Sequence, residues 1–329
     1  MRRASGSLFG LAYGDALGKP TEFLDVAAIE ARYGPGGPRE LEGDPALVTD
    51  DTQMAIAVAD GLLAAQSWAP EVVEPLWRTR FLEWARSPEN DRAPGMTCMR
   101  AIAGLEDGYR WQRATIAGSK GCGANMRVTP VGLLPDIDDD TLAGLSQLQA
   151  GMTHGHPTAL TASELTAYAT RVLRDGAPLR DVPALLRARA DSQRGVYREE
   201  WLGDLWERPG ASTPDEYIDR GWVECLDVLD RLDAALAAPD RAADPCLATG
   251  AGWIAEEALA TALHCALLFP DDPVAALGRA AATSGDSDSI AALAGAFLGA
   301  ALGMSAWPDG WDHRIEYADR LSAFGAAWD

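Results

Sequence analysis

The chain has 329 residues, with 28 Lys and Arg against 49 Asp and Glu and a net charge of -21. That length supports a substantial core, and with no Pro/Gly/Ser linker or low-complexity run to divide it, one large domain is expected over 1-329. The charge opposes binding to duplex nucleic acid or anionic lipid by bare electrostatics, so a phosphate-bearing ligand needs a local positive device such as a cation or a helix N-terminus.

The N-terminal segment carries Gly6, Gly10, Gly14 and Gly18, every fourth residue of an apolar run. Glycine inside a helix costs roughly 0.5–1 kcal/mol against alanine, so such a stripe implies close packing against a second backbone. Asp15 and the glycines interrupt any signal-peptide core, and no apolar run reaches the length of a membrane span. Helical periodicity then predicts helices at about 52–66, 71–86, 138–150, 157–175, 178–190, 214–237 and 253–268, punctuated at Pro70, Pro135, Pro178, Pro214 and Pro270. A further helix is expected to begin near Asn125. In the last long apolar segment, Ile290, Leu293, Ala294, Phe297, Leu298, Ala301 and Leu302 share one face, while Gly295, Gly299 and Gly303 repeat the glycine device on another. The reading is all-α, a single compact multi-helix orthogonal bundle whose two glycine-striped helices are central. The stripes would draw Asp15 and Glu22 toward the acidic clusters described next.

Two such clusters stand far apart in sequence, Thr49-Asp50-Asp51-Thr52 and Asp286-Ser287-Asp288-Ser289, each directly before an apolar helix. One cluster alone reads as a helix cap. Two of them exceed what caps require, and carboxylates crowded at buried helix ends are costly unless a cation neutralises them. Their donors are all hard oxygens, which suit Mg2+, Mn2+ or Ca2+ rather than zinc or copper. An EF-hand is excluded, because Ala291 stands where that loop requires Gly and Phe297 where it requires Glu.

Gly118 to Asn125 is a glycine-rich turn whose backbone N–H groups suit phosphate, although so short a cluster also reads as a plain tight loop. His154 and His156 lack a further zinc ligand at a recognised spacing, and His156-Pro157 reads as a helix start. Cys98 has no paired histidine and is a poor nucleophile. The five cysteines form no C-x-x-C pair and are odd in number, so a reducing, cytoplasmic setting is expected. The segment 193–222 is rich in Trp and Tyr. It reads as a satellite core, with a partner or base-stacking surface as the alternative.

The run Gly10-Leu-Ala-Tyr-Gly-Asp-Ala-Leu-Gly-Lys-Pro-Thr-Glu-Phe23, the tetrad Thr49 to Thr52, the loop Gly121-Cys-Gly-Ala-Asn-Met-Arg127 and Ser284-Gly-Asp-Ser-Asp-Ser-Ile-Ala-Ala291 together resemble the ADP-ribosylglycohydrolase family, in the family's motif order. The resemblance implies hydrolysis of the glycosidic bond between ADP-ribose and a modified side chain of arginine or serine type. It implies two divalent ions, Mg2+ or Mn2+, in a central cleft, held by Thr49, Asp50, Asp51, Asp286, Asp288 and Ser289 with Asp288 bridging. It makes Glu22 or Asp51 the acceptor of the attacking water's proton. It also assigns Ser119, Gly121, Cys122, Gly123, Asn125 and His154 to the ligand, with ADP-ribosylated protein as partner and ADP-ribose as product. Ser287 and Ser289 stand where many relatives have threonine, which retains the hydroxyl with looser rotamer control. A non-catalytic ADP-ribose-binding relative and a dinuclear phosphohydrolase are the competing readings.

Overall fold

The computed structural model describes all of residues 1–329 and contains helices, turns and isolated bridges but no β-strand. Its helices of eight residues or more are α1 (Arg3–Gly18), α2 (Val26–Tyr33), α3 (Asp50–Ala64), α4 (Pro70–Ala85), α5 (Met96–Glu106), α6 (Asp139–Gly151), α7 (Pro157–Arg174), α8 (Val182–Gln193), α9 (Pro214–Ala237), α10 (Ala255–Leu268), α11 (Pro273–Ala280), α12 (Ser287–Leu302) and α13 (Ala318–Trp328).

The two glycine-striped helices are the axis of the fold. They run antiparallel with their backbones in contact: a Cβ at Gly6 would meet Gly299 and Gly303, one at Gly10 would meet Gly295, one at Gly14 the Ala291 carbonyl, and one at Gly18 the backbone of Asp288. Only Arg3 among the residues of α1 escapes burial, and α12 is buried from Ser287 to Ala300. The antiparallel arrangement sets the C-terminus of α1 beside the N-terminus of α12, so Asp15 and Glu22 arrive at the second acidic cluster. Gly14→Ala is expected to lower stability by about 1–3 kcal/mol, because a methyl group there must push two helix backbones apart. Thermal unfolding checks this, and an unchanged Tm contradicts the close approach.

Asp15 explains how the first cluster joins the second. Its carboxylate is buried in α1 yet accepts hydrogen bonds from Thr49 N at 2.9 Å, Thr52 N at 3.0 Å and Thr52 Oγ1 at 2.5 Å. One helix thus satisfies the free N–H groups at the start of another, which fixes the mouth of α3 against α1. At the far end, Asp329 accepts from Ala4 N at 2.7 Å and Ser5 N at 3.2 Å, closing α13 onto the start of α1.

Most expected helices form near their predicted positions, and the departures have local causes. The helix expected from 253 begins at Ala255, because residues 253–255 pair antiparallel with the glycine turn at 120–122: Cys122 N donates to Trp253 O at 3.0 Å and Ala255 N to Lys120 O at 2.9 Å. No long helix begins near Asn125. A 3-10 turn at Cys122–Ala124 and a short helix at Thr129–Leu133 stand there instead, the latter with Pro130 in its first turn. The helix expected from 178 starts at Val182, after a 3-10 turn at Leu179–Asp181. Helices α2, α5, α11 and α13 are not expected from the sequence; α2 and α11 are only eight residues long, and the others have 11 residues each.

The aromatic-rich segment is inward-facing. Trp201, Tyr217 and Trp222 are buried, and Trp201 covers Gly144 of α6. Beneath it lies an ionic knot: Glu164 of α7, wholly buried, accepts from Arg189 Nε at 2.9 Å and Gln147 Nε2 at 2.6 Å, with Arg198 at 3.7 Å.

Candidate active site

The acidic clusters meet in one cleft of about 320 Å³, which Glu22, Asp50, Asp51, Gly121, Cys122, Gly123, His154, Asp286, Asp288 and Ser289 help to line. The turn after α1 delivers Glu22: the Thr21 hydroxyl lies 2.7 Å from Gly18 O and 2.6 Å from Ala281 O, which pins the turn to the end of α11. Ligand atoms of Glu22, Asp286 and Asp288 all lie within 4.8 Å of one another.

Capping does not account for these carboxylates. Asp286 occupies the position before α12 but its side chain makes no capping hydrogen bond. At α3 the cap is Thr49, whose hydroxyl accepts from Asp51 N at 3.3 Å. Asp50 Oδ2 accepts from Gly95 N at 3.2 Å, and Ser289 Oγ donates to Asp51 Oδ1 at 3.3 Å. The other Asp51 oxygen is buried without any partner.

No Lys or Arg lines the cleft. Burial first, and then the charge of Asp288, push the carboxyls of Asp15, Glu22, Asp50, Asp51 and Asp286 above their usual range; Asp288 is itself raised by burial. A nest of buried carboxylates, an orphaned Asp51 oxygen and serine and threonine hydroxyls is the donor set of a hard divalent cation. The residues present therefore fit such a group.

The opposite wall is the glycine turn with His154 behind it. A Cβ at Gly121 would stand 3.3 Å from His154 Nε2, and one at Gly123 3.2 Å from its Cε1, so glycine is what leaves the histidine ring edge open. Burial, followed by the neighbouring Arg127 charge, lowers His154 to about 3. Both effects favour the neutral ring.

Three residues expected at the site, Thr49, Ser119 and Asn125, do not line the cleft, and the Thr49 hydroxyl is engaged as the α3 cap. Asn125 is wholly buried and donates from Nδ2 to Ala255 O at 2.9 Å, which secures the turn to α10. Ser119 Oγ pairs with Thr97 Oγ1 at 3.0 Å. Lys120 is unavailable to phosphate, because its ammonium is held between Glu224, at 2.7 Å, and Glu256. Sequence reasoning missed the wall formed by 93–97, which carries no motif, and the apolar lip. On that lip Phe23, Met96 and Trp253 remain 72%, 64% and 46% exposed.

Comparison with known proteins agrees along the whole chain. Residues 1–328 match the family model described as ADP-ribosylglycohydrolase. The chain is 26% identical to "ADP-ribosylarginine hydrolase Tri1" of Pseudomonas putida over 97% of its own length and 76% of that protein. It is 25% identical to "ADP-ribosylhydrolase ARH3" of Mus musculus over 95% and 87%. A stretch covering 47% of the chain and 52% of the relative is 34% identical to "ADP-ribosyl-[dinitrogen reductase] glycohydrolase" of Rhodospirillum rubrum. A solved structure titled "ADP-ribosylglycohydrolase-related protein complex" superposes with a TM-score of 0.67 at 25% identity, covering 99% of this chain and 96% of that one.

Proposed function

Since the chain belongs to the ADP-ribosylglycohydrolase family, we propose that it is a divalent-cation-dependent hydrolase that releases ADP-ribose from a modified protein side chain, of arginine or serine type. The observation that carries this reading is the meeting of Glu22, Asp286 and Asp288 within 4.8 Å, beside an Asp51 oxygen buried without a partner.

Thr49, Asp50, Asp51, Asp286, Asp288 and Ser289 would hold two ions, Mg2+ or Mn2+, with Glu22 closing over them. When bound, such ions supply Lewis-acid polarisation and a template for the ribose hydroxyls and the attacking water. The chain's own groups do the rest. Glu22 or Asp51 accepts the proton of the water, and the remaining carboxylates stabilise the positive charge that develops at the anomeric carbon. Gly121, Cys122 and Gly123 let the ligand approach the backbone, and His154 offers a ring N–H. Phe23, Met96 and Trp253 receive the acceptor, and a lip of aromatic rings above carboxylates favours a guanidinium over a neutral hydroxyl.

No helix is long and apolar enough to cross a membrane. The five cysteines are free and buried, in keeping with a reducing, cytoplasmic setting. The acidic surface disfavours duplex nucleic acid as a partner.

The test is a panel of defined ADP-ribosyl-arginine and ADP-ribosyl-serine conjugates incubated with Mg2+ or Mn2+. Free ADP-ribose is the expected product. AMP or inorganic phosphate would mean attack at phosphorus, and no product from any conjugate would mean a binding protein.

Cation binding should also register in stability. A carboxyl whose folded pKa lies above its unfolded value, about 4, favours the fold while protonated; that contribution is lost as pH rises through the folded value, about 7 for Asp50 and about 9 for Glu22. Metal-free protein is thus expected to lose Tm between about pH 5 and 9. Excess Mg2+ binds the ionised groups, so its increment should grow over that interval, reaching about 2.7 kcal/mol at a hundredfold excess over Kd. Thermal unfolding with and without Mg2+ checks this, and an increment independent of pH contradicts it.

A further inference from the structure

His154 reaches the cleft with one ring edge, and the structure fixes what stands behind the other. Its Nδ1 lies 2.8 Å from Thr153 Oγ1. A neutral ring carries one proton, so either the hydroxyl donates to Nδ1 and the proton sits on Nε2, or the reverse holds. The partners of Thr153 decide between them. Arg127 Nη2 donates to the same hydroxyl oxygen at 2.8 Å, which occupies one lone pair with a cationic donor and polarises the O–H bond. The hydroxyl's other acceptor, Ala150 O, is 3.5 Å away, at the limit of a hydrogen bond. Its proton therefore goes to Nδ1.

Arg127 is itself immobilised. It is wholly buried, donates from Nε to Gln149 Oε1 at 2.8 Å and from Nη2 to Gln149 O at 2.6 Å, and stacks over the Phe81 ring at 4.5 Å. No carboxylate pairs with it; its remaining nitrogen faces only Met54 Sδ at 3.5 Å and Cys98 Sγ at 3.6 Å. A buried guanidinium without a counter-ion is costly, and a role in the adjacent site is a reason for keeping it. The segment bearing His154 is braced from outside as well, by Tyr217 Oη donating to Gly155 O at 2.8 Å.

We propose that Arg127 and Thr153 are positioning residues that lock His154 in the tautomer with its proton on Nε2, so that the ring presents a fixed N–H donor to an anionic or hydroxyl oxygen of the ligand. Nε2 has no protein partner, and it points between Gly121 and Gly123. The ligand half of this statement rests on the proposed hydrolysis of ADP-ribosyl conjugates; the tautomer half does not.

The experiment has two arms on the full chain. Long-range proton–nitrogen NMR of the histidine rings, with His154 assigned by its loss in His154→Gln, should show the proton on Nε2 and Nδ1 as a hydrogen-bonded acceptor, unchanged between about pH 5 and 8. Thr153→Val removes the hydroxyl at constant volume. It should shift the Nδ1 resonance and weaken ADP-ribose binding about tenfold, the scale of one misplaced charge-assisted hydrogen bond, with kcat little changed. Thr153→Ser should restore both. A proton on Nδ1 in the wild type overturns the proposal, as does a Thr153→Val protein with unaltered Nδ1 resonance and ADP-ribose affinity. If the wild type binds no ADP-ribose, the function fails, and the NMR arm alone decides the tautomer.

Discussion

Asp288→Asn is expected to lower kcat/KM by about 10³-fold or more while making the metal-free protein more stable. The activity loss follows from position. Asp288 lies at the start of α12, with its ligand atom within 4.8 Å of those of Glu22 and Asp286. Losing one preorganised charge-stabilising group at such a centre costs about 10²–10³ in rate, and the loss of cation affinity adds to it. The gain in stability follows from the same crowding. Asp288 is the charge that most raises its carboxyl neighbours after burial itself, so neutralising it relieves repulsion at Glu22, Asp50, Asp51 and Asp286 together. Asparagine keeps the volume and can still accept from Ser289 N, which bonds Asp288 Oδ1 at 3.0 Å. Turnover, metal-free Tm and the Tm increment from Mg2+ should therefore move down, up and to near zero. Full turnover in the variant would remove Asp288 from the machinery.

Glu164→Ala is expected to cost about 3–5 kcal/mol of stability, a large share of the roughly 5–15 kcal/mol that holds an ordinary domain folded. The carboxylate is wholly buried, and it is the one acidic group enclosed with Arg189 and Arg198; the other partners of these arginines, Asp139 and Asp140, are solvent-facing. Removing it leaves buried guanidinium groups without compensation and strands the Gln147 amide. The damage should fall on α7, α8 and the aromatic segment, away from the cleft. Urea unfolding measures the loss, and turnover per folded molecule should be unchanged at low temperature. A loss under about 1 kcal/mol would mean that water or a rearranged side chain replaces the carboxylate.

What was legible in the sequence was whatever costs energy locally. Gly10 and Gly14 in α1 and Gly295 in α12 are penalties that only backbone contact repays, and they disclosed the central pair. Asp50, Asp51, Asp286 and Asp288 exceed the needs of two helix caps, and they disclosed a charged centre. The contacts that join distant parts were not legible. The glycine stripe placed Asp15 near the acidic clusters, but no pattern along the chain announces that it caps α3 from inside α1. Lys120 lies in the glycine turn, but Glu224 and Glu256, more than a hundred residues onward, hold its ammonium. Asn125 faces Ala255 for the same reason: the turn must be anchored before it can shape a cleft. The relay from Arg127 through Thr153 to His154 was equally hidden, since nothing in the sequence shows that Arg127 is buried against Thr153.

The most direct measurement is a crystal grown with Mn2+ and examined by anomalous scattering. Two peaks enclosed by Glu22, Asp50, Asp51, Asp286, Asp288 and the hydroxyls of Thr49 and Ser289 are the expected result. A cleft with these side chains in place and no anomalous density among them, at Mn2+ concentrations that saturate any turnover, would contradict the account.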